Sequence, residues 1–149
     1  MLTTVEIEII NHMAKTLHVC AYADAVESGE LPDAPYASMG ADWMDIAPPV
    51  SDDARLFAAE LAGQIKALNK KSLLFLARDA ATADGFDPDD GFEEIPTRRG
   101  CSYLEDFGHC LAMQALGHGV SWFDDHEEFL LTVPHVEFYP DFSGLPLMA

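Results

Sequence analysis

The first third of the chain repeats its apolar residues at the three- to four-residue spacing of an α-helix. Within residues 5 to 26, Ile9, Met13 and Leu17 recur at this spacing, and no Pro or Gly interrupts the chain before Gly29. The pattern predicts one long helix.

A second helical pattern begins at Ser51, whose hydroxyl can cap free backbone amides and which precedes two Asp residues suited to the positive end of a helix. Apolar residues then repeat every three to four positions up to residue 68. Lys70 and Lys71 indicate a break, after which residues 73 to 83 continue the helical pattern. We expect the apolar face of this second helix to pack on the first.

The C-terminal third is aromatic and punctuated by Gly, a composition typical of hairpins. Residues 109 to 116 and 120 to 123 are predicted strands around a tight turn, in which Gly117 suits the first central position of a type II′ turn. A further strand is predicted at residues 135 to 139. The expected fold class is therefore α+β, with two long N-terminal helices packed on a small antiparallel β-sheet formed largely by residues 101 to 141.

Length and composition predict one soluble α+β domain covering residues 1–149, because 149 residues with 49% hydrophobic content can fill one core. No apolar run approaches the roughly 18 residues that span a bilayer, and residues 1–10 lack the pattern of a signal peptide. Cys20, Cys101 and Cys110 lack CxxC spacing, so reduced thiols are expected. These features predict a cytoplasmic protein that does not enter membranes.

Charge is the main indication of the partner. The chain has 26 Asp and Glu against 8 Lys and Arg, for a net charge of −18. Such a field repels nucleic acid and anionic membranes and attracts basic surfaces. Direct nucleic-acid binding is therefore not expected. A basic protein that itself binds nucleic acid is the expected partner, because carboxylates can present charge much as a phosphate backbone does. The alternative is that the charge serves solubility alone.

Two acidic clusters are the predicted partner-binding residues. Residues 84 to 94 surround Gly and Pro with carboxylates and are expected to form an exposed loop. This loop does not fit an EF-hand, because placing Gly91 at position 6 puts Phe86 and Pro88 at ligand positions 1 and 3. The predicted partner-binding residues are Asp84, Asp87, Asp89, Asp90, Glu93, Glu94, Asp124, Asp125, Glu127 and Glu128.

The C-terminal third contains a spaced motif. It consists of a Gly-His pair, seven further residues, Gly-His-Gly, two residues, two aromatics and Asp. Its members are Gly108, His109, Gly117, His118, Gly119, Trp122, Phe123 and Asp124. The motif resembles one in small uncharacterised acidic proteins of bacteriophages and plasmids. Weaker similarity extends to residues 31–36 and 135–141, but residues 110–116 lack the Arg found in that family. The resemblance implies a mobile-element origin, and small acidic proteins of this origin often inhibit host defence.

Candidate chemistry centres on His109 and His118, because imidazole titrates near neutrality and binds zinc. A zinc site that adds Cys101 and Cys110 is disfavoured, since adjacent residues on a strand, such as His109 and Cys110, point to opposite faces. His126 begins a sequence that lacks the second His of the HExxH motif, and there is no Gly-rich phosphate loop or GxSxG elbow. No catalytic residue, metal ligand or cofactor is predicted.

The leading hypothesis is a non-enzymatic inhibitor from a phage or related element. It is an acidic DNA mimic that binds a basic host protein of CRISPR or restriction defence. One alternative is a small enzyme or metal-binding protein using His109, His118 and Asp124. Another is a homodimeric interaction module that buries Trp43 and Trp122.

Overall fold

The computed structural model describes residues 3–29, 50–83, 85, 87, 89, 103–118 and 131–140. The described chain contains the helices α1 (Thr4–Glu27), α2 (Asp52–Asn69), α3 (Leu73–Ala83) and α4 (Tyr103–Ala115). Residues 131–140 belong to no helix or strand.

The predicted α+β class is wrong, since the described ranges contain helices and no strand or sheet. The predicted strand at residues 109 to 116 lies almost entirely within α4, and the predicted strand at residues 135 to 139 is irregular. Residues 120 to 123 lie outside the described residues. The physical reason is burial: Leu104, Phe107 and Leu111 recur at helical spacing and are at most 1% exposed. Their burial outweighs the roughly 1 kcal/mol that an internal Gly costs a helix.

The predicted first helix is confirmed as α1, and its start follows from a local signal that the periodicity did not include. Thr3 and Glu6 form a capping box, in which the Glu6 N–H donates to Thr3 Oγ1 over 3.1 Å and the Thr3 N–H donates to Glu6 Oε1 over 3.3 Å. These two bonds satisfy backbone donors that the first turn of a helix leaves free.

The second predicted helix is confirmed as two elements, α2 and α3. Ser51 is the N-cap of α2, because its hydroxyl accepts the Ala54 N–H over 3.2 Å. Lys70 ends α2 in a left-handed conformation with φ of 55°. The break predicted at Lys70 and Lys71 is therefore present, and α3 begins only at Leu73.

α1 lies at the centre of the fold and packs against both α2 and α4. Thr16 meets His109, and Cys20 meets Met113, so α1 and α4 run in the same direction with a constant register. The core also includes a row of small residues on α2 that lets helices approach closely. The buried residues of α2 are Ala54, Ala58, Leu61, Ala62 and Ile65.

The carboxylate of Glu6 is buried, with the residue only 4% exposed, and it contacts three helices. Besides capping α1, it accepts the backbone N–H of Leu73 at the start of α3 through Oε2 over 3.2 Å. Its Oε2 also lies 3.8 Å from Nζ of Lys66 on α2. A buried carboxylate is stable here because both of its oxygens have donors.

The segment of residues 131–140 crosses the ends of α2 and α4. The Val136 N–H donates to the Ala115 carbonyl over 2.8 Å and satisfies an acceptor that the end of α4 would leave free. Asn69 exchanges two hydrogen bonds of 2.8 Å with the backbone of Thr132. This segment is therefore held near its start and at its middle.

Candidate functional site

The first glycine of the Gly-His motif lies at the closest approach of α1 and α4. A Cβ added at Gly108 would lie 2.8 Å from the Cβ of His12, 2.8 Å from the carbonyl oxygen of Ile9 and 3.4 Å from the backbone nitrogen of Met13. Real Cβ atoms do not tolerate such contacts. Gly108 is therefore a packing residue, and any larger side chain would push the two helices apart.

His109, the second member of the motif, is partly buried against α1. Its Nδ1 lies 2.9 Å from Oγ1 of Thr16, and the tautomer of the imidazole determines which atom donates. One helical turn further along, the Cys20 thiol donates to the sulfur of Met113 over 3.6 Å. The motif thus contributes to the contact between α1 and α4, here called the seam, which contains polar as well as apolar side chains.

His12 extends this seam by one turn towards the start of both helices. Burial lowers the pKa of His12 below 6.5, opposed by the nearby carboxylates of Glu105 and Glu8 and assisted by the ammonium of Lys15. The seam therefore contains an imidazole whose charged form is disfavoured by folding.

Gly117 ends α4 and does not occupy a hairpin turn, so the predicted type II′ turn is wrong. The Gly117 N–H donates to the Gln114 carbonyl over 3.0 Å and the His118 N–H donates to the Met113 carbonyl over 3.1 Å. These are the two bonds of a Schellman motif, and Gly117 has the positive φ of 88° that this motif requires. A helix end and a hairpin turn both need such a glycine, which explains the misassignment.

A cavity of about 120 Å³ lies beside the end of α4, between α1 and residues 131–140. The titratable side chains of its lining belong to Cys20, Asp24, His118, His135, Glu137 and Tyr139. Burial and, to a lesser degree, the Asp24 carboxylate raise the pKa of Cys20, so its thiol is protonated and a weak nucleophile at neutral pH.

The described residues do not support a metal centre at the histidines. No group of three His, Cys, Asp or Glu side chains in these ranges could hold a metal ion. His109 lies within α4 and contacts Thr16 of α1, whereas His118 lies beyond the end of α4 and lines the cavity. They therefore do not share one site. Cys101, Asp124 and the other motif members Gly119, Trp122 and Phe123 lie outside the described residues, as does Trp43.

The first predicted acidic cluster is described at two positions. Asp87 and Asp89 are exposed, and Oδ1 of Asp87 accepts the Asp89 N–H over 2.9 Å. Asp89 also forms an ion pair with Arg78 on α3, which ties this cluster to the helical core. The remaining predicted partner-binding residues lie outside the described residues: Asp84, Asp90, Glu93, Glu94, Asp124, Asp125, Glu127 and Glu128.

Carboxylates neutralise most of the positive side chains in the described ranges. The ion pairs are Arg55–Asp52 at 3.2 Å, Lys66–Glu6 at 3.8 Å, Lys71–Asp79 at 2.7 Å and Arg78–Asp89. Other carboxylates in the described ranges are exposed. They include Glu8, Asp24, Glu27, Asp53, Glu60, Asp87 and Glu137.

Sequence reasoning missed a groove on α2. This α2 groove, an open depression of about 370 Å³, is lined by Asp53, Leu56, Glu60, Glu137 and Tyr139, among others. The sequence contains one signal for it. Leu56 falls outside the buried stripe of α2 and has acidic residues three positions before it and four positions after it.

Comparison with protein-family models, with curated proteins and with solved structures finds no match to this chain. Among the described helices, none is both long enough and apolar enough to cross a membrane. The functional argument therefore rests on the residues of this chain and their arrangement.

Proposed function

We propose that this protein is a non-enzymatic inhibitor from a phage or related mobile element that binds a basic host protein. The proposed target is a nucleic-acid-binding component of CRISPR or restriction defence. The observation that carries the proposal is the net charge of −18 together with the pairing of most of the described Lys and Arg side chains to carboxylates.

The physical argument is electrostatic competition. Exposed carboxylates on a stable helical core attract the Lys and Arg residues that a nucleic-acid-binding protein uses for phosphates. Complementary charge accelerates association and fixes the orientation of the partner, and both effects weaken with salt. The bound inhibitor would then exclude nucleic acid from the same surface.

The resemblance of the Gly-His motif to proteins of bacteriophages and plasmids supports the mobile-element origin. In this chain, Gly108 and Gly117 have structural roles in helix packing and helix termination. The motif therefore supports the fold, and the partner-binding role is assigned to the acidic surface. An inhibitor of this kind acts in the host bacterial cytoplasm.

The test is affinity capture of the tagged protein's partners from a nuclease-treated bacterial lysate, with stepwise elution by salt and identification by mass spectrometry. The bait variant is Asp87→Lys with Asp89→Lys, in the acidic cluster. The matched control is Glu8→Lys with Glu27→Lys, which makes the same change of charge at exposed positions of α1.

The proposal predicts a basic nucleic-acid-binding protein that elutes at lower salt from the cluster variant than from the control. Addition of the purified wild-type protein should then displace DNA or RNA from the captured target. Capture that is insensitive to both charge reversals, or a target that retains its nucleic acid, would show that charge mimicry is not the mechanism.

A further inference from the structure

The floor of the α2 groove is built from aromatic side chains that the core holds in place. The rings of Phe57 and Phe138 are tilted at 45° to each other with centroids 4.8 Å apart, and Phe138 is only 9% exposed. The hydrogen bonds of Val136 and Thr132 to the helix ends fix the segment that carries Phe138. The groove is therefore formed before any partner binds.

The walls of the groove combine exposed apolar surface with negative charge. Leu56 is 66% exposed and Tyr139 is 81% exposed, so both present apolar surface to solvent. Asp53, Glu60 and Glu137 line the same groove and are exposed. Among the residues that the structure describes, no Lys or Arg lines it.

This combination matches arginine more closely than any other side chain. A guanidinium stacks on an aromatic face and donates paired hydrogen bonds to a carboxylate, whereas the lysine ammonium is a compact, strongly hydrated charge. Tyr139 offers the ring, and Glu60 and Glu137 offer the carboxylates. Leu56 adds a surface for an apolar neighbour of the arginine.

We propose that the α2 groove is a second docking surface for the basic partner, in addition to Asp87 and Asp89, and that its occupant is a segment presenting arginine beside an apolar side chain. This inference rests on the proposed function and names the chemistry of the partner segment that the groove binds. Desolvation of Tyr139 and Leu56 supplies affinity, and the carboxylates select positive charge.

The experiment measures binding of a fluorescent seven-residue peptide, Arg-Ser-Arg-Leu-Arg-Ser-Arg, by fluorescence anisotropy at low salt. The groove variants are Tyr139→Ala and the double substitution Glu60→Gln with Glu137→Gln. The matched control, Glu8→Gln with Glu27→Gln, removes the same charge from exposed positions of α1. Circular dichroism and thermal unfolding establish that each variant is folded.

We expect each groove variant to weaken peptide binding about tenfold and the control to weaken it by less than about twofold. The groove variants remove specific contacts with the peptide, whereas the control only lowers the general negative charge. Tyr139→Phe, which keeps the ring, should bind like the wild type. A peptide with Lys in place of Arg should bind more weakly.

If the groove and control double substitutions weaken peptide binding equally, binding follows charge alone. This result would overturn the groove assignment and leave the proposed inhibitor function standing. Failure of the wild-type protein to bind the peptide at low salt would also overturn the groove assignment, whereas the inhibitor function is tested separately by the capture experiment. A dimer in sedimentation that Tyr139→Ala converts to a monomer would assign the groove to a second copy of this chain and overturn the inference.

Discussion

Replacement of Gly108 by Ala tests the central helix crossing. The added methyl group would lie 2.8 Å from His12 Cβ and 2.8 Å from the carbonyl oxygen of Ile9. Neither atom is at the end of a flexible side chain, so the clash cannot be relieved by a rotamer change. α1 and α4 must separate by several tenths of an ångström along their shared seam.

The cost follows from two opposing effects. Overpacking of a well-packed core destabilises by about 1–3 kcal/mol. Ala in place of Gly within a helix recovers about 0.5–1 kcal/mol, because the unfolded chain loses less backbone entropy. We therefore expect Gly108→Ala to lower the free energy of unfolding by about 1–2 kcal/mol. In a chain of this size the melting temperature should fall by roughly 2–8 °C.

Gly63 provides the matched control, because it is an exposed glycine within α2 where an added Cβ meets nothing within 4 Å. Gly63→Ala should therefore stabilise the protein by about 0.5–1 kcal/mol. Urea denaturation followed by circular dichroism measures both variants, and the two substitutions should shift the midpoint in opposite directions.

A Gly108→Ala variant as stable as Gly63→Ala would refute the reasoning. It would mean that α1 and α4 do not approach closely at this position. The first glycine of the Gly-His motif would then need an explanation other than packing.

Three further substitutions test other parts of the structure. Burial lowers the pKa of His12 in the folded state. The stability contributed by neutral His12 is therefore complete above the ordinary pKa of 6.5 and is lost as the pH falls through the folded-state pKa. The urea midpoint of the His12→Gln variant should depend less on pH in the acid range than that of the wild type. Gly117→Ala places a Cβ 3.3 Å from an imidazole at positive φ and should cost about 1–2 kcal/mol in thermal unfolding, more than Gly29→Ala, which has similar φ but open space. Asn69→Ala removes both bonds to Thr132 and should cost about 1–2 kcal/mol and accelerate hydrogen exchange at the Thr132 amide; unchanged exchange would contradict the described contact.

The sequence by itself determined the helices whose signals are local. The apolar repeat of α1 and the Ser51 cap of α2 act within one or two turns of the chain, as does the break at Lys70. Each can be interpreted without knowing what the helix packs against. The acidic character of the surface is likewise a property of composition.

Only the tertiary structure decided the conformation of residues 103–115 and the position of the α2 groove. Gly108 and Gly117 suggested a hairpin, because glycine favours turns wherever it occurs. Contact with α1, some 90 residues earlier in the chain, makes Gly108 a close-packing position and buries the apolar face of α4. Similarly, Leu56 and Tyr139 are distant in sequence, and they line one groove because residues 131–140 extend from the end of α2, where Thr132 bonds to Asn69, to its first half, where Phe138 contacts Phe57. Local propensity contributes about 1 kcal/mol per residue, whereas burial of a large apolar side chain contributes about 1.5–3 kcal/mol, so the long-range contacts decided where the two disagreed.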